Sequence, residues 1–453
     1  MKIILVGAGK VGFSIAESLA SEGHDITVID QDGENVIQIS NALDVICVEG
    51  SATNPATLRD AGAENADVLI AATPGDEVNM ICGIAARKLG TRHVIVRVRN
   101  PEFLSQTEFF RESLGLSVIV NPDYECAMEI SRILRFPTAV RVDTFSKGSV
   151  EIIEYRVGEG SGLIGAALKE LPQRFGAKVL IAVVERGEEA LIPNGDFVLQ
   201  EGDKLSITGS AQEIRRFFSA VGHVKKRVKS VMIMGGGRIG VYLTHLLEDA
   251  GMSVTVVDRN RSRCDELCDL IPNARVICGD ATRSEVLLEE GLRSTDAFVA
   301  LTGDDGDNII TSLYASRVQV PKIVAKVNRE HFSELLESGG IESIVSPRSL
   351  VAQQVTRYIR AISNSAESSS VETLHRLADG KIEALELKVS EGAACVGVPL
   401  KDLRLKKGIL ISAVIRGSES ILPNGSTCIR PGDHAVIVTA AGRLKNINEI
   451  VEN

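Results

Sequence analysis

Short apolar runs alternate with longer amphipathic segments along this chain, and the alternation predicts its secondary structure. The first six runs span residues 2–6, 25–30, 45–49, 68–73, 94–98 and 116–120. Between the first two, segment 11–22 places Ile15, Ala16 and Leu19 on one helical face. Short apolar strands that alternate with helices are typical of a parallel sheet buried on both faces. The pattern therefore predicts a doubly wound α/β domain with right-handed crossovers.

A second pattern begins near residue 140, where short strands and turn sequences replace the long amphipathic segments. Strands are predicted at 179–184 and 205–208, and the dipeptides Asn194–Gly195 and Gly202–Asp203 predict tight turns. We therefore expect residues 140–222 to form a small α+β domain with little long helix.

Both patterns then recur, which indicates a tandem duplication. The turn at residues 7–12 returns at 235–240, Asp30 returns as Asp258, and the sequence Ile-Pro-Asn-Gly at 192–195 returns as Leu-Pro-Asn-Gly at 422–425. We predict four domains, at residues 1–137, 138–224, 225–362 and 367–453. A basic linker at 225–229 and a flexible Ser-rich loop at 363–370 are expected between them.

A helical stretch follows each α/β domain, at 123–136 and at 350–362. In the second stretch, Val351, Val355, Tyr358 and Ile362 form one apolar stripe. The stripe has two interpretations, packing against its own domain or contact with a second subunit, and the sequence leaves both open.

Composition narrows the class of protein. The chain has 453 residues, of which 44% are hydrophobic, and a net charge of −10, so it can build several cores and lacks the basic character of a general nucleic-acid binder. No apolar run approaches the roughly 18 residues that cross a bilayer, which predicts a soluble, cytoplasmic chain. The eight cysteines have no metal-binding spacing and are expected to be free thiols.

Two glycine-rich turns are the candidate binding motifs. Each follows a strand, opens a helix and precedes an acidic residue at the end of the second strand, which is the context of a Rossmann-like dinucleotide site. The first glycine permits the tight turn, the second lets the backbone approach a pyrophosphate, and the third lets the helix pack on the strand. The free N–H groups and the positive dipole end of the helix then attract phosphates.

An aspartate ends the second strand of each copy, Asp30 in the first and Asp258 in the second. A carboxylate there accepts hydrogen bonds from the adenosine ribose and repels a 2′-phosphate, so NAD(H) is favoured over NADP(H). The alternative interpretation is a purely structural role in the turn after the strand.

Polar residues at the ends of strands four and five complete the candidate sites. Thr73 and Thr302 end the fourth strands, at the edge where ligands bind in open α/β sheets. Arg97 on strand five is suited to a bidentate phosphate contact, whereas Lys326 in the second copy offers only a point charge. We therefore expect the two sites to differ in ligand preference.

Three of these assignments are less specific. Arg97 has the alternative of a structural ion pair with Asp76 or Glu77. Just after strand three, Ser51 and Asp280 are candidates for lining the adenine side of each site.

No catalytic constellation accompanies the duplicated motifs. The seven histidines do not repeat between the copies, and the sequence has neither a Walker-type phosphate loop nor a nucleophile elbow. A duplicated site without a catalytic partner favours sensing over turnover, and we predict that the chain is not an enzyme.

The order of the motifs resembles the TrkA-type regulatory proteins of potassium uptake systems, which contain RCK (or KTN) domains. The resemblance covers essentially the whole chain, including IPNG and EGDKL of the small domain. In the first copy it rests on KIILVGAGKVG (2–12) with Asp30, GSATNP (50–55), VLIAATPGDEVNM (68–80) and VRVRNPEF (96–103). In the second copy it rests on MIMGGGRIG (232–240), Asp258, GDAT (279–282) and ALTGDDGDN (300–308).

The resemblance implies a Rossmann-like nucleotide domain followed by a small RCK C-terminal domain, both present twice. It implies binding of NAD(H) and of the adenine nucleotides ATP and ADP. It also implies a homo-oligomeric ring, with a tetramer as the expected form, that lies peripherally on the inner face of the cell membrane against a Trk-type potassium-translocating subunit.

Site residues are transferred by position. The resemblance places the first site at Gly7, Ala8, Gly9, Lys10, Val11, Asp30, Thr73, Pro74 and Arg97. It places the second site at Gly235, Gly236, Gly237, Arg238, Ile239, Asp258, Thr302, Gly303 and Lys326. Lys326 and the run of three glycines depart from the first copy, which leaves the ligand of the second site less defined. Two alternative functions remain open, a nucleotide sensor for another partner and an NAD-dependent dehydrogenase.

Overall fold

The computed structural model describes all residues except 105, 137–138, 146–148, 222–226, 329–335, 337–338, 342, 367–370, 418, 441–443, 445 and 453. It divides into two compact units. The first unit comprises Met1–Ser131 and Lys229–Ile359, and the second comprises Arg132–Val228 and Arg360–Asn453. The two α/β domains therefore share one unit, and the two small domains share the other.

The first α/β domain is a doubly wound parallel sheet. Its strands are β1 (Lys2–Val6), β2 (Asp25–Asp30), β3 (Ile46–Glu49), β4 (Val68–Ala71), β5 (His93–Arg97) and β6 (Val118–Val120). Its helices are α1 (Lys10–Ala20), α2 (Gly33–Ala42), α3 (Pro55–Asp60), α4 (Asp76–Leu89), α5 (Pro101–Leu104), α6 (Thr107–Leu114) and α7 (Pro122–Arg135). The strand order is β3-β2-β1-β4-β5-β6, and all pairs are parallel. The order reverses between β1 and β4, which creates a crevice at their carboxyl ends.

In its described residues, the first small domain combines an antiparallel sheet with two α-helices. Its elements are β7 (Arg141–Phe145), β8 (Val150–Arg156), α8 (Leu171–Phe175), β9 (Leu180–Arg186), β10 (Glu189–Leu191), β11 (Lys204–Gly209) and α9 (Ala211–Val221). The strand order is β10-β9-β11-β8-β7. The sequence analysis missed α9, whose Ile214, Phe217 and Phe218 are buried in the domain core.

The second α/β domain repeats the first. Its strands are β12 (Ser230–Met234), β13 (Ser253–Asp258), β14 (Arg275–Cys278), β15 (Ala297–Ala300), β16 (Lys322–Lys326) and β17 (Ser343–Val345). Its helices are α10 (Arg238–Asp249), α11 (Arg261–Leu270), α12 (Ser284–Glu289), α13 (Asp305–Arg317) and α14 (Pro347–Ala366). The order β14-β13-β12-β15-β16-β17 matches the first sheet strand for strand. Every residue of β4 and of its counterpart β15 is buried, as their continuous apolar sequences predict.

The second small domain has the same topology as the first. Its strands are β18 (Val371–Leu377), β19 (Ile382–Lys388), β20 (Ile409–Arg416), β21 (Glu419–Ile421) and β22 (His434–Thr439), in the order β18-β19-β22-β20-β21. Apolar side chains from both small domains, among them Phe145, Ile152, Ala384 and Val436, form one shared core cluster.

The Ser-rich stretch at 363–370 was predicted as a loop, but its first part is helical because α14 continues to Ala366. Residues 367–370 lie outside the described residues, as do residues 222–226 at the predicted basic linker.

Candidate functional site

The glycine turn of the first copy joins β1 to α1 in a conformation that requires glycine. Gly7 has φ = +98°, and a Cβ on it would lie 3.1 Å from the Thr73 nitrogen. A Cβ on Gly12 would lie 1.8 Å from the Gly7 carbonyl oxygen, so α1 can pack this closely only with glycine there. A Cβ on Gly9 would meet nothing within 4 Å. The turn is therefore tightly packed against β1 and β4 but open toward the crevice.

The helices that follow the two glycine turns begin without a side-chain cap. Gly9 and Gly237 occupy the N-cap positions of α1 and α10, and neither position supplies a capping hydrogen bond. The next helices are capped in the usual way, by Asp32 at α2 and Asn260 at α11. The N–H groups at the starts of α1 and α10 are therefore placed to bind an anion.

The aspartates at the ends of β2 and β13 hold the glycine turns in place. Asp30 accepts hydrogen bonds from the Ala8 nitrogen at 2.6 Å and from the Asp32 nitrogen at 2.9 Å. Asp258 accepts the same pair of bonds, from the Gly236 nitrogen at 2.8 Å and the Asn260 nitrogen at 2.9 Å. The structural role is thus present in both copies. Because an ionised carboxylate offers about four acceptor positions, it leaves capacity for ribose hydroxyls.

A buried asparagine joins the carboxyl ends of β4 and β5. Asn79 is fully buried, and its Nδ2 donates to the carbonyl oxygens of Thr73 at 3.0 Å and Arg97 at 2.9 Å. Its Oδ1 accepts from the Thr73 nitrogen at 2.9 Å and from the Thr73 hydroxyl at 2.7 Å. Asn308 makes the corresponding contacts with Thr302 and Lys326. The sequence analysis used these asparagines only as markers of the repeat, although they fix the strand ends that border the crevice.

The first crevice is a cavity of about 590 Å³ with a cationic end. Its charged lining residues are Lys10, Asp30, Arg97 and Arg99. Arg97 donates from one terminal nitrogen to the Thr73 carbonyl oxygen at 2.8 Å, whereas its Nε is buried without a partner among the described residues. Burial, together with the neighbouring Arg99, lowers the pKa of Arg97.

In the described part of the chain, Arg97 forms no ion pair with Asp76 or Glu77, which was the alternative that the sequence left open. Asp76 instead accepts from the backbone nitrogens of Arg99 at 2.9 Å and Asn100 at 2.8 Å. An arginine with an unsatisfied buried donor beside a cavity is suited to binding an anionic ligand.

The second crevice, of about 420 Å³, has the opposite charge. Its charged lining residues are Asp258, Arg259, Asp280, Asp304 and Asp307. Asp280 is thus one of the residues that line the second cavity. In the first copy, Gly50 and Ala52 line the cavity, and Ser51 between them bonds with Gln31 and Thr53 instead.

Lys326, the counterpart of Arg97, does not line the second cavity. Lys326 is only 9% exposed, and burial lowers the pKa of its ammonium group. The nearby Cys126, Asp305 and Asp123 raise this pKa and so partly offset the effect of burial. Cys126 and Asp123 belong to α7 of the first α/β domain. Lys326 therefore lies near α7 of the other α/β domain.

A carboxylate on α7 connects the two sites across that contact. Asp123 Oδ2 accepts from Arg99 Nε at 2.8 Å and from Arg238 Nε at 3.0 Å. Arg99 lines the first cavity, and Arg238 is the first residue of α10, in the second glycine turn. Nearby, the Asn121 amide lies 3.3 Å from the Tyr242 hydroxyl.

Helix α14, which contains the apolar stripe, makes polar contacts with the first α/β domain. Within the first unit, Thr356 bonds to Ser18 at 3.0 Å, and Tyr358 contacts His93 at 3.4 Å. Both partners belong to the other α/β domain of the same chain. The final helices α7 and α14 thus each contact the neighbouring copy, a pairing between distant segments that the helical stripe alone could not reveal.

Most residues expected in the first site line the first cavity. These are Gly7, Gly9, Lys10, Val11, Asp30, Thr73, Pro74 and Arg97, with Ala8 bonded to Asp30 through its backbone. In the second copy only Gly235, Gly237, Asp258, Thr302 and Gly303 line the cavity. Gly236, Arg238, Ile239 and Lys326 do not. Arg99, Asp304 and Asp307 were missed, although each closely follows an expected residue in sequence.

The aspartates of the two Gly-Asp pairs in the small domains form ion pairs that stabilise the turns before β11 and β22. Asp203 accepts from Arg186 Nε and from one of its terminal nitrogens, both at 2.8 Å. Asp433 forms the same forked pair with Arg416, at 2.9 and 2.7 Å. These bonds fix the turn before β11 and β22, in agreement with the predicted turns.

Among the described residues, no helix combines the length and the hydropathy needed to span a membrane. The fold and the two crevices define a tandem of Rossmann-like domains, each followed by a small antiparallel domain. The TrkA-N domain family matches residues 3–122 and 231–347, and the TrkA-C domain family matches residues 152–222 and 384–451. The chain belongs to the TrkA family of Trk system potassium uptake proteins.

Individual relatives agree with this assignment. The Trk system potassium uptake protein TrkA homolog of Archaeoglobus fulgidus is 35% identical over 99% of this chain and 100% of its own length. The TrkA protein of Halomonas elongata is 32% identical over 100% of this chain and 99% of its own.

Two solved structures share the fold. The GsuK channel bound to NAD superimposes with a TM-score of 0.64 at 20% identity, over 97% of this chain and 77% of that one. GsuK bound to ADP gives a TM-score of 0.53 at 17% identity, over 80% and 69%. The predicted fold class, with two RCK-type repeats, is confirmed.

Proposed function

We propose that this chain is the nucleotide-binding regulatory subunit of a Trk-type potassium uptake system. It binds NAD(H), ATP and ADP in its two crevices and gates the membrane subunit that translocates potassium. The observation that carries the proposal is the pair of cavities above uncapped helix starts, each beside a strand-end aspartate. The names of the relatives supply the physiological setting.

In each site the ligand bridges elements that belong to different parts of the sheet. The pyrophosphate lies on the free N–H groups of the glycine turn, and the ribose lies against Asp30 or Asp258. The remaining part of the ligand extends over the ends of strands four and five. A ligand that contacts these elements unequally in two arrangements of the subunit shifts the balance between them, which is sufficient for gating.

Charge determines which ligand each site prefers. The first cavity has three cationic side chains and one carboxylate, whereas the second has four carboxylates and one arginine. The additional negative charge of ATP or ADP is stabilised in the first cavity and repelled in the second. ATP and ADP therefore bind preferentially at the first site, and the second prefers NAD(H).

The proposed assembly is a homo-oligomer, with a tetramer as the expected number, on the inner face of the membrane. The chain acts there as a peripheral, cytoplasmic sensor without enzymatic turnover. The net charge of −10 and the acidic second cavity favour a protein partner over nucleic acid.

Calorimetric titration of Asp30→Ala and Asp258→Ala with NADH and ATP tests the assignment of sites. Each substitution removes acceptors for the ribose and should weaken binding at its own site by about 1–3 kcal/mol while sparing the other. Equal loss at both sites from either change would contradict it. Potassium flux through the reconstituted membrane subunit tests the function, because flux independent of added nucleotide would exclude gating.

A further inference from the structure

We propose that Glu372, Glu386 and His434 form a binding site for a divalent transition-metal ion of the Zn²⁺ type in the second small domain. The three residues lie on adjacent strands, β18, β19 and β22. His434 Nδ1 lies 3.0 Å from Glu372 Oε2 and 3.1 Å from Glu386 Oε1. All three ligand atoms lie within 4.8 Å of one another.

The spacing of these atoms fits metal coordination. Zinc binds imidazole nitrogen and carboxylate oxygen at about 2.0–2.2 Å, so two ligands of a tetrahedral site are separated by about 3.4 Å, and only a small outward movement of the two carboxylates is needed to reach this spacing. Two carboxylate oxygens approach the same ring nitrogen here, and that nitrogen can give either one N–H or one lone pair. A lone pair together with two carboxylates is a common ligand set for a divalent ion.

Burial adds an electrostatic reason for a cation at this position. The Glu386 side chain is only 2% exposed, whereas His434 and Glu372 are 26% and 44% exposed. Burial of a carboxylate beside a second carboxylate is costly unless a cation compensates the charge. A bound dication offsets both charges, and the more exposed pair of ligands gives it a route from solvent.

The first small domain shows what the same position looks like with a built-in cation. Lys204 is the first residue of β11, and His434 is the first residue of the equivalent strand β22. Their strand partners, Arg156 on β8 and Lys388 on β19, are equivalent too. Lys204 lowers the pKa of the buried Glu154, which opposes the effect of burial on that carboxyl. In the second copy, His434 replaces the lysine and Glu372 is added. A lysine beside one carboxylate thus becomes an imidazole beside two carboxylates, which are groups that can bind a metal ion.

The ligand chemistry selects the class of metal. One imidazole nitrogen with two carboxylates suits Zn²⁺ and its neighbours among the divalent transition metals. Ca²⁺ and Mg²⁺ prefer oxygen ligands alone. We therefore expect Zn²⁺ to bind in the presence of a large excess of Ca²⁺.

Calorimetric titration of the full-length chain with Zn²⁺ tests the proposal, with His434→Lys as the matched variant because it gives the second copy the residue of the first. The wild type should bind one more equivalent of Zn²⁺ than this variant. Glu372→Gln should lower the affinity for that additional Zn²⁺ ion roughly tenfold or more. The partly exposed position of Glu372 makes its variant a control for folding, checked by thermal unfolding without metal.

Other groups on the chain require a control of their own. Exposed Cys268 and Cys278 can also bind Zn²⁺, but they are unchanged in both variants and contribute equally to all titrations. Co²⁺ at the proposed site should lack the thiolate charge-transfer absorption that a cysteine site would show. Lys204→His should gain no equivalent, because Arg141 rather than a carboxylate pairs with Glu154 there. Equal Zn²⁺ binding by the wild type and His434→Lys, or displacement by equimolar Ca²⁺, would overturn the proposal.

Discussion

The two crevices share a backbone but differ in the charge that surrounds it. Both have a glycine turn with positive φ, an aspartate that accepts two backbone hydrogen bonds, and a buried asparagine at the ends of strands four and five. The first then presents Arg97 and Arg99 to its cavity, and the second presents Asp304 and Asp307. Duplication has thus kept the parts that shape a site and changed the parts that select its ligand.

The largest expected effect comes from a methyl group in the first glycine turn. Gly12→Ala places a Cβ 1.8 Å from the Gly7 carbonyl oxygen, whereas Gly240→Ala places one 2.6 Å from the Gly235 oxygen. Gly12→Ala should lower the free energy of unfolding by about 3 kcal/mol and abolish nucleotide binding at the first site. Gly240→Ala should cost less. Chemical denaturation and calorimetric titration measure both, and wild-type binding by Gly12→Ala would contradict this account of the turn.

A second test compares the cations that end the fifth strand of each copy. Arg97→Ala should weaken ATP binding at the first site by about 2 kcal/mol, because the guanidinium has an unused buried donor beside the cavity. Lys326→Met should leave nucleotide affinity at the second site nearly unchanged, because this side chain does not line the cavity. Arg97→Lys separates the charge from the fork, and titration with ATP distinguishes the three variants. A large loss of affinity in Lys326→Met would show that the lysine reaches the ligand after all.

The small domains extend the comparison to pH. Burial, reinforced by Glu185, raises the pKa of Glu154 from 4.5 to about 7, with Arg141 and Lys204 opposing the shift. The folded state therefore holds this proton at pH values where the unfolded state has lost it. The contribution of this group to stability is greatest below pH 4.5 and is lost as the pH rises through about 7, by about 3 kcal/mol in total.

Glu154→Gln should remove this part of the pH dependence. The difference in unfolding free energy between variant and wild type, measured by denaturation from pH 5 to 8, should grow in favour of the variant as pH rises. A difference that stays constant across this range would mean that Glu154 is ionised throughout.

The smallest effect is expected from the carboxylates of the second cavity. Asp304→Asn and Asp307→Asn each remove one negative charge from its lining and should strengthen ADP binding there by less than about 1 kcal/mol. The gain should shrink at high ionic strength, because exposed charges are screened. Titration at low and high salt measures it, with the first site as an internal control. A gain of equal size at the first site would point to a general charge effect instead.

Local patterns predicted the fold well, and most residues expected in the first site line a single cavity. Apolar runs of five or six residues, glycine spacing and a strand-end aspartate depend on neighbours in sequence, so their meaning is readable there. The positions of Lys326 and Arg238, in contrast, depend on residues that are distant in sequence. Asp123, more than a hundred residues before either, draws Arg238 away from its own cavity and lies near Lys326. A pairing of that separation leaves no periodic trace in the chain, which is why the sequence did not indicate that these two residues lie outside the lining of the second cavity.

The exchange of α7 and α14 contacts also bears on how the two halves associate. Because both α/β domains belong to one polypeptide, their association is intramolecular and does not weaken when the protein is diluted. In a pair of identical chains, any substitution would appear at both sites at once. Here a substitution changes one site alone. Selection can therefore adjust the first α/β domain, which contains Asp123, for one nucleotide while the second α/β domain keeps its own ligand preference.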